Sequence, residues 1–380
     1  MINKTAEANM HVITVSTDQI DEFIISATAR EASGQREMMQ QVFDAVQDAG
    51  AVPVCQRVFA GADREVLNEV TDEIRWPVTW LSVDTDLAPP STQVCAVRGA
   101  SVDYVRRGGK PVASTYHRGN SRWCRIGGLL PGDGSISAED QAREVLELLV
   151  SVLEETGMEL DDLVRTWFFL ENILSWYRGF NKVRNAFFTQ HGVFEGLIPA
   201  STGIGTVNAA GRALTAEALL VDCGSARARP RAVASPAQCA ATRYGSSFSR
   251  AVEVVEKGHR RVYISGTASI DAEGRTVRVD DFEGQMDVTL RAVEKILNSR
   301  KMDWSDTVRA IAYAPMPGDL PALRRKLKPL GVPVAVVPAV VCRDDLLFEL
   351  ELDAIGDTTS EPAEKTRTVE NRAVSNLCEE

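Results

Sequence analysis

Three stretches of this chain repeat one order of elements, and that repetition limits the fold more than any motif does. In the last third, RVYISGTASI (261–270) reads as a strand, DAEGRT (271–276) as a polar turn, and Gln285 to Ser299 as a helix. Met286, Leu290, Val293, Ile296 and Leu297 recur at spacings of three and four, which gives that helix one apolar face. DWSDTVRAIAYA (303–314) then returns as a strand. The middle third follows the same order: WCRIGGLLP (123–131), a PGDGS turn, a helix opened by Gln141, and LDDLVRTWFFL (160–170). Val145, Leu148, Leu149, Val152 and Leu153 form the apolar face of this second helix. Gln141 to Arg165 and Gln285 to Arg309 are both 24 residues apart, an offset that unrelated helices have no reason to share.

The first third repeats the order more faintly. DEFIISATA (21–29) is a strand, Gln35 to Ala49 a helix burying Met38, Met39, Val42, Phe43 and Val46, and PVCQRVFA (53–60) the return. A strand–helix–strand unit with further hairpins buries its apolar faces as a helix layer on a mixed sheet, so the fold class is α+β. LAPPSTQ (87–93) and GSARARPRAVASPAQ (224–238) read as linkers. The expected division is a degenerate unit over 1–90, a second unit over 91–225 and a third over 236–356. The tail 357–380 is polar with few large apolar residues and is expected to be disordered.

Composition excludes more than it assigns. Apolar residues are 44% and charged residues 25%, as in globular proteins, and net charge is −11. An acidic chain has no general basic surface, so no nucleic acid is expected as partner. No run approaches the ~18 apolar residues of a membrane span, and MINKTAEANMHVITV does not read as a signal peptide; the expected location is cytoplasmic. The 7 cysteines include no CxxC pair and the 4 histidines no HxH or HExxH, so neither a disulfide framework nor a metal site is expected. PASTGIGTVN (199–208) is glycine-rich but lacks both GxxxxGK[ST] and GxGxxG, which removes nucleotide binding. No organic cofactor is implied.

Several blocks then resemble a known fold. YGSSFSRAVEV (244–254), RVYISGTASI, the helix near Gln285 and VPAVVCRDDLLFELELDAI (337–355) resemble the RidA (YjgF-type), chorismate-mutase-like unit. That unit has about 130 residues and forms homotrimers with ligand sites in the clefts between units. RTWFFLENILSWYRGFNKVRNAFF (165–188), PASTGIGTVN, YGSSFSRA, SGTASI and CRDDLLFELE (342–351) together resemble the chorismatase family. The resemblance covers roughly residues 75–355. It implies tandem RidA-like units joined as an intramolecular pseudo-trimer, a monomer or weak homo-oligomer. It also implies an enzyme that cleaves the enolpyruvyl ether of chorismate, releasing pyruvate.

That cleavage starts by protonating the terminal CH₂ of the enol ether, which requires a carboxyl group still protonated near neutral pH. Burial against apolar groups raises a carboxyl pKa in that way. In LLFELEL only Glu349 and Glu351 interrupt the apolar run, and period-two alternation puts both on one face. Spacing alone also allows a solvent-facing strand with two surface carboxylates; the resemblance makes Glu349 the catalytic acid. A dicarboxylate such as chorismate calls for two arginines, each able to bind a carboxylate through two N–H groups. Arg184, in an aromatic segment, is the first candidate and Arg325 the second, with Arg178, Arg324 and Arg343 also available. Tyr177 is a candidate to orient a substrate oxygen. Ser201 and Thr202 are expected to face the substrate from a tight turn, and Ala268 to line the same pocket. Cys342 lies seven residues before Glu349, across an expected RDD hairpin turn. By resemblance a cysteine there marks the branch that yields a hydroxybenzoate, 3-hydroxybenzoate being favoured, over the branch that yields a dihydroxycyclohexadiene acid. Two other readings remain open. One is a RidA-type imine deaminase, weakened because Pro338 is followed by Ala339-Val340-Val341 with Arg343 displaced. The other is a non-catalytic small-molecule-binding protein.

Overall fold

The computed structural model describes residues 1–7, 9–17, 19–61, 65–66, 74–224, 229–256 and 258–358. The first unit contains β1 (Ile2–Glu7), β2 (Met10–Ser16), β3 (Asp21–Thr28), α1 (Gln35–Asp48), β4 (Val52–Ala60), β5 (Val78–Ser82) and β6 (Ser91–Arg98). The second contains β7 (Val102–Arg107), β8 (Lys110–Arg118), β9 (Ser121–Leu129), α2 (Ala138–Thr156), β10 (Leu163–Leu170), α3 (Ile173–Gln190), β11 (Ala200–Gly205), β12 (Val207–Asn208) and β13 (Leu214–Asp222). The third contains β14 (Arg231–Val233), β15 (Ala251–Glu256), β16 (His259–Ala268), α4 (Phe282–Ser299), β17 (Thr307–Ala314), α5 (Leu320–Leu327), β18 (Val334–Pro338) and β19 (Glu349–Asp357).

One strand order is used three times: β1-β2-β3-β6-β4-β5, β7-β8-β9-β13-β10-β11 and β14-β15-β16-β19-β17-β18. In each sheet the last pair in that order is parallel and its neighbours are antiparallel. β12 crosses over to extend the first sheet beside β5. Even the irregularities repeat. Ladder register shifts between Pro53 and Cys55, between Leu163 and Arg165, and between Thr307 and Arg309. Arg165 and Arg309 therefore follow equivalent bulges, which accounts for their common distance from the helix-opening glutamines; the first unit has Cys55 there instead.

Those glutamines have a shared task. Gln141 Oε1 accepts from Ala213 N at 2.8 Å and its Nε2 donates to Ile136 O at 3.0 Å. Gln285 Oε1 accepts from Leu347 N at 2.8 Å and its Nε2 donates to Arg278 O at 3.2 Å. Each side chain ties the start of its helix to the segment entering the last strand. Ser137 caps α2 by accepting from Asp140 N, and Gly157, at φ 63°, ends it in the left-handed conformation that glycine adopts without Cβ strain. The Asp281 side chain caps α4 by accepting from Gly284 N.

Helices cover one face of each sheet: α1 the first, α2 and α3 the second, α4 and α5 the third. The other faces meet in a common core that includes Ile24, Phe59, Trp123, Trp167, Tyr263 and Ile311. This is a pseudo-trimer within one chain. The expected boundary at 90 falls too early, because Ser91–Arg98 is the fourth strand in the order of the first sheet. Pro89 and Pro90 lead into a strand; they do not divide units. The expected tail lies outside the described residues from 359 onward. Among the described residues no helix is long and apolar enough to cross a membrane.

Buried charge closes the seam between the sheets. Glu351, fully buried, is paired with Arg57 of the first unit at 3.2 Å, Arg165 of the second at 3.0 Å and Arg309 of the third at 3.1 Å. Trp167 Nε1 donates to it as well, at 2.9 Å. Removing one partner of a buried network leaves the others uncompensated. Glu351→Ala is expected to destabilise the protein by about 3–5 kcal/mol, read from the midpoint of urea unfolding.

Candidate active site

A cleft of about 1110 Å³ lies between the second and third units. One wall is α3, which presents Leu174, Tyr177, Arg178, Asn181, Arg184 and Asn185 at spacings of three and four, one face of a helix. The floor is Ser201 and Gly203 of β11, Gly266 and Ala268 of β16, and Glu349, the first residue of β19. The segment from Tyr244 to Arg250 and the loop carrying Cys342, Arg343 and Leu346 close the rest. Of the residues singled out from sequence, Glu349, Cys342, Arg184, Tyr177, Ser201 and Ala268 come together here, as do Arg178 and Arg343.

Glu349 is 4% exposed. Burial, reinforced by the neighbouring Glu351 carboxylate and opposed by Arg250, pushes its carboxyl up to about 8. Glu351, two residues on, is also buried, but its three arginines outweigh desolvation and hold it near 2. Adjacent carboxyls on one strand face are thus driven to opposite protonation states at neutral pH. Gly266 leaves the space that the acid occupies: a Cβ there would overlap Glu349 Oε1.

Arg184 is 1% exposed and Arg250 4%, and neither has a carboxylate partner among the described residues. Arg184 Nη2 donates to Asn181 Oδ1 at 2.7 Å, and its guanidinium lies over Phe180, 5.2 Å from the ring centre. Arg250 Nε donates to Cys239 O at 2.9 Å, and its guanidinium lies 5.3 Å from the Phe248 ring centre and 5.4 Å from that of Tyr244. Two buried guanidiniums held by amides and aromatic faces are ready to receive anions from the cleft. Burial and the Glu349 charge, opposed by Arg343 and Tyr177, push Cys342 up to about 12, so it is a neutral thiol.

Four expectations need correction. Arg325 is not in the cleft: α5 buries Leu320, Leu323 and Leu327, which turns Arg324 and Arg325 outward. PASTGIG is not a tight turn but strand β11, parallel to β10. Alternation along it sends Ser201 to the cleft and Thr202 away, where Thr202 Oγ1 accepts from Gly266 N at 3.1 Å and from Arg165 Nη2 at 3.3 Å. Cys342 is not on a hairpin strand: among the described residues β18 pairs only with β17, and β19 inserts between β16 and β17, so Cys342 lines the cleft with Glu349 from a loop. Arg250 and Gly266 went unremarked in the sequence, although both stand in quoted blocks, YGSSFSRA and SGTASI.

The comparisons with known proteins agree with this architecture. A chorismatase crystal structure superposes with a TM-score of 0.63, covering 80% of this chain and 92% of that chain at 22% identity. Residues 120–214 match the family described as Endoribonuclease L-PSP. Among smaller solved structures are a putative endoribonuclease L-PSP from Entamoeba histolytica (19% identity, 33% of this chain, 98% of that chain, TM-score 0.29) and a putative endoribonuclease from Thermotoga maritima (20% identity, 33% of this chain, 97% of that chain, TM-score 0.27). No curated protein matches the chain. The chain has the α+β fold of fused RidA/L-PSP-like units, as in the chorismatase structure.

The raised Glu349 pKa is also a statement about stability. Below the ordinary carboxyl value of 4.5 both folded and unfolded states are protonated; between there and about 8 only the folded state holds the proton. Stability from this group is therefore complete at low pH and lost as pH rises through about 8. Glu349→Gln is expected to gain on the parent between pH 5 and pH 8, by at most about 1.4 kcal/mol per pH unit, in thermal unfolding. A constant difference across that range would contradict the raised pKa.

Proposed function

We propose that the protein is a chorismatase: it cleaves the enolpyruvyl ether of chorismate to pyruvate and a hydroxybenzoate. The observation that carries this reading is a buried carboxyl, its pKa pushed up to about 8, facing the same cleft as two buried arginines that have no carboxylate partner among the described residues. A dicarboxylate supplies the two missing anions, and an enol ether needs the acid.

Arg184 and Arg250 bind the two carboxylates of the substrate, so Arg250 takes the second clamping role that sequence had assigned to Arg325. Glu349 delivers its proton to the terminal CH₂, and positive charge develops at the ether carbon. Attack of water at that carbon, followed by collapse of the adduct, releases pyruvate and leaves the dihydroxycyclohexadiene acid; the hydroxybenzoate forms where the ring also gives up a C–H proton and its second hydroxyl as water. The Glu349 carboxylate left behind stabilises the cation and accepts a proton as the adduct forms. Aromatic side chains on α3, Tyr177 and Phe180 stacked with ring centres 6.1 Å apart, exclude bulk water from one side. Cys342 acts as a neutral thiol beside Tyr177, suited to shaping the product branch and not to nucleophilic attack.

Purified protein incubated with chorismate is expected to release pyruvate, measured by a coupled dehydrogenase assay; no pyruvate from folded protein would sink the reading. Glu349→Gln is expected to lower kcat by about 10²–10⁴-fold with folding retained. Arg250→Met is expected to lower kcat/KM by about 10²-fold. Cys342→Ala is expected to keep pyruvate release and to shift the aromatic product toward the dihydroxycyclohexadiene acid, separated by chromatography.

A further inference from the structure

The arginines and carboxylates along the inter-sheet seam divide into two groups. In the first, Arg57, Arg165 and Arg309 face Glu217, Glu351 and Asp353, three against three. In the second, Arg118, Arg125 and Arg261 share only Glu22 and Glu256 among the described residues. The surplus cation is Arg125, whose single carboxylate contact among the described residues is Nη2 to Glu22 at 3.6 Å. That is too long for a charge-assisted hydrogen bond. Glu256 adds to the surplus, because burial and the adjacent Glu22 push its carboxyl up to about 8.

Arg125 is 8% exposed and Arg309 6%. Arg125 Nε and Arg309 Nη2 meet no acceptor among the described residues. Both residues line a cavity of about 40 Å³, and both line a second of about 10 Å³ that shares Cys95 with it. About 10–15 Å³ is enough for a water-sized species, so the larger cavity admits one with room to spare. Trp167, Ile126 and Arg57 also line it, as does Glu217, whose carboxylate is already bound to Arg57. A tetrahedral oxyanion is too bulky for the space; a weakly hydrated monovalent ion suits walls that are part guanidinium and part apolar.

We propose that this cavity binds a buried monovalent anion of halide size, held by Arg125 Nε and Arg309 Nη2. The ion offsets one positive charge of that surplus and satisfies two buried donors at once. It is separate from the cleft holding Glu349. The internal rival is Cys95: the hydrogen bond from Cys55 lowers its pKa, which would make a thiolate the counter-charge.

Two measurements on the full chain test the proposal. Crystals soaked in sodium bromide are expected to show an anomalous peak between Arg125 and Arg309. Thermal unfolding in sodium chloride, compared with sodium gluconate at equal ionic strength, is expected to show a saturating rise of about 2–4 °C. Arg125→Gln is expected to flatten that rise and Cys95→Ser to leave it intact. If Arg125→Gln does not fold, the wild-type and Cys95→Ser titrations still decide. A cavity holding only water after the bromide soak, or coincident chloride and gluconate curves, would overturn the proposal. A chloride response absent from the wild type and gained in Cys95→Ser would also overturn it, in favour of the thiolate as counter-charge.

Discussion

Glu351 is the carboxylate on which all three units converge. Arg57, Arg165 and Arg309 each come from a different unit and meet on this one side chain. Burying four charges is costly, and the arrangement persists because each ion is both paired and hydrogen-bonded. The same pairing fixes chemistry two residues away. Glu351 is held ionised by its arginines, and its negative charge adds to the desolvation that keeps Glu349 protonated. The interaction that joins the units thus also tunes the acid in the cleft between two of them.

Fusion has let equivalent positions diverge. By ladder register, Thr215 of β13 occupies the place that Glu349 holds in β19: Phe169 pairs with Thr215 as Tyr313 pairs with Glu349. The junction of the first and second units keeps the scaffold, with Thr79 Oγ1 accepting from Gly128 N at 2.8 Å as Thr202 Oγ1 does from Gly266 N at 3.1 Å. It has lost the acid, and Trp80 stands where the third-unit cleft has Gly203. One cleft has a carboxyl, a glycine to make room for it and two arginines; its counterpart, about 750 Å³, has Thr215 in the place of the acid.

Much of this was legible in the sequence where local physics decides. Apolar spacing marked all three core helices to within a few residues, and the 24-residue offset marked equivalent bulges before any sheet was known. Alternation in LLFELEL put Glu349 and Glu351 on one face, as observed. What was not legible depends on packing between units. Arg325 looked suitable by proximity in sequence, yet a two-turn helix faces its leucines inward and its basic residues to solvent. Arg250 gave no signal because it is held by Tyr244, Phe248 and the Cys239 carbonyl, contacts that no periodicity encodes. Thr202 failed for a simpler reason: a strand was read as a turn, and strands alternate.

The central claim is that Glu349 enters the reaction as a protonated acid, and the pH dependence of pyruvate release tests it most directly. With chorismate as substrate, kcat/KM is predicted to be level below about 8, the pKa of the buried carboxyl, and to fall roughly tenfold per unit above it. A profile that falls with a midpoint near 4.5, the ordinary carboxyl value, would contradict the account, as would one unchanged in Glu349→Gln.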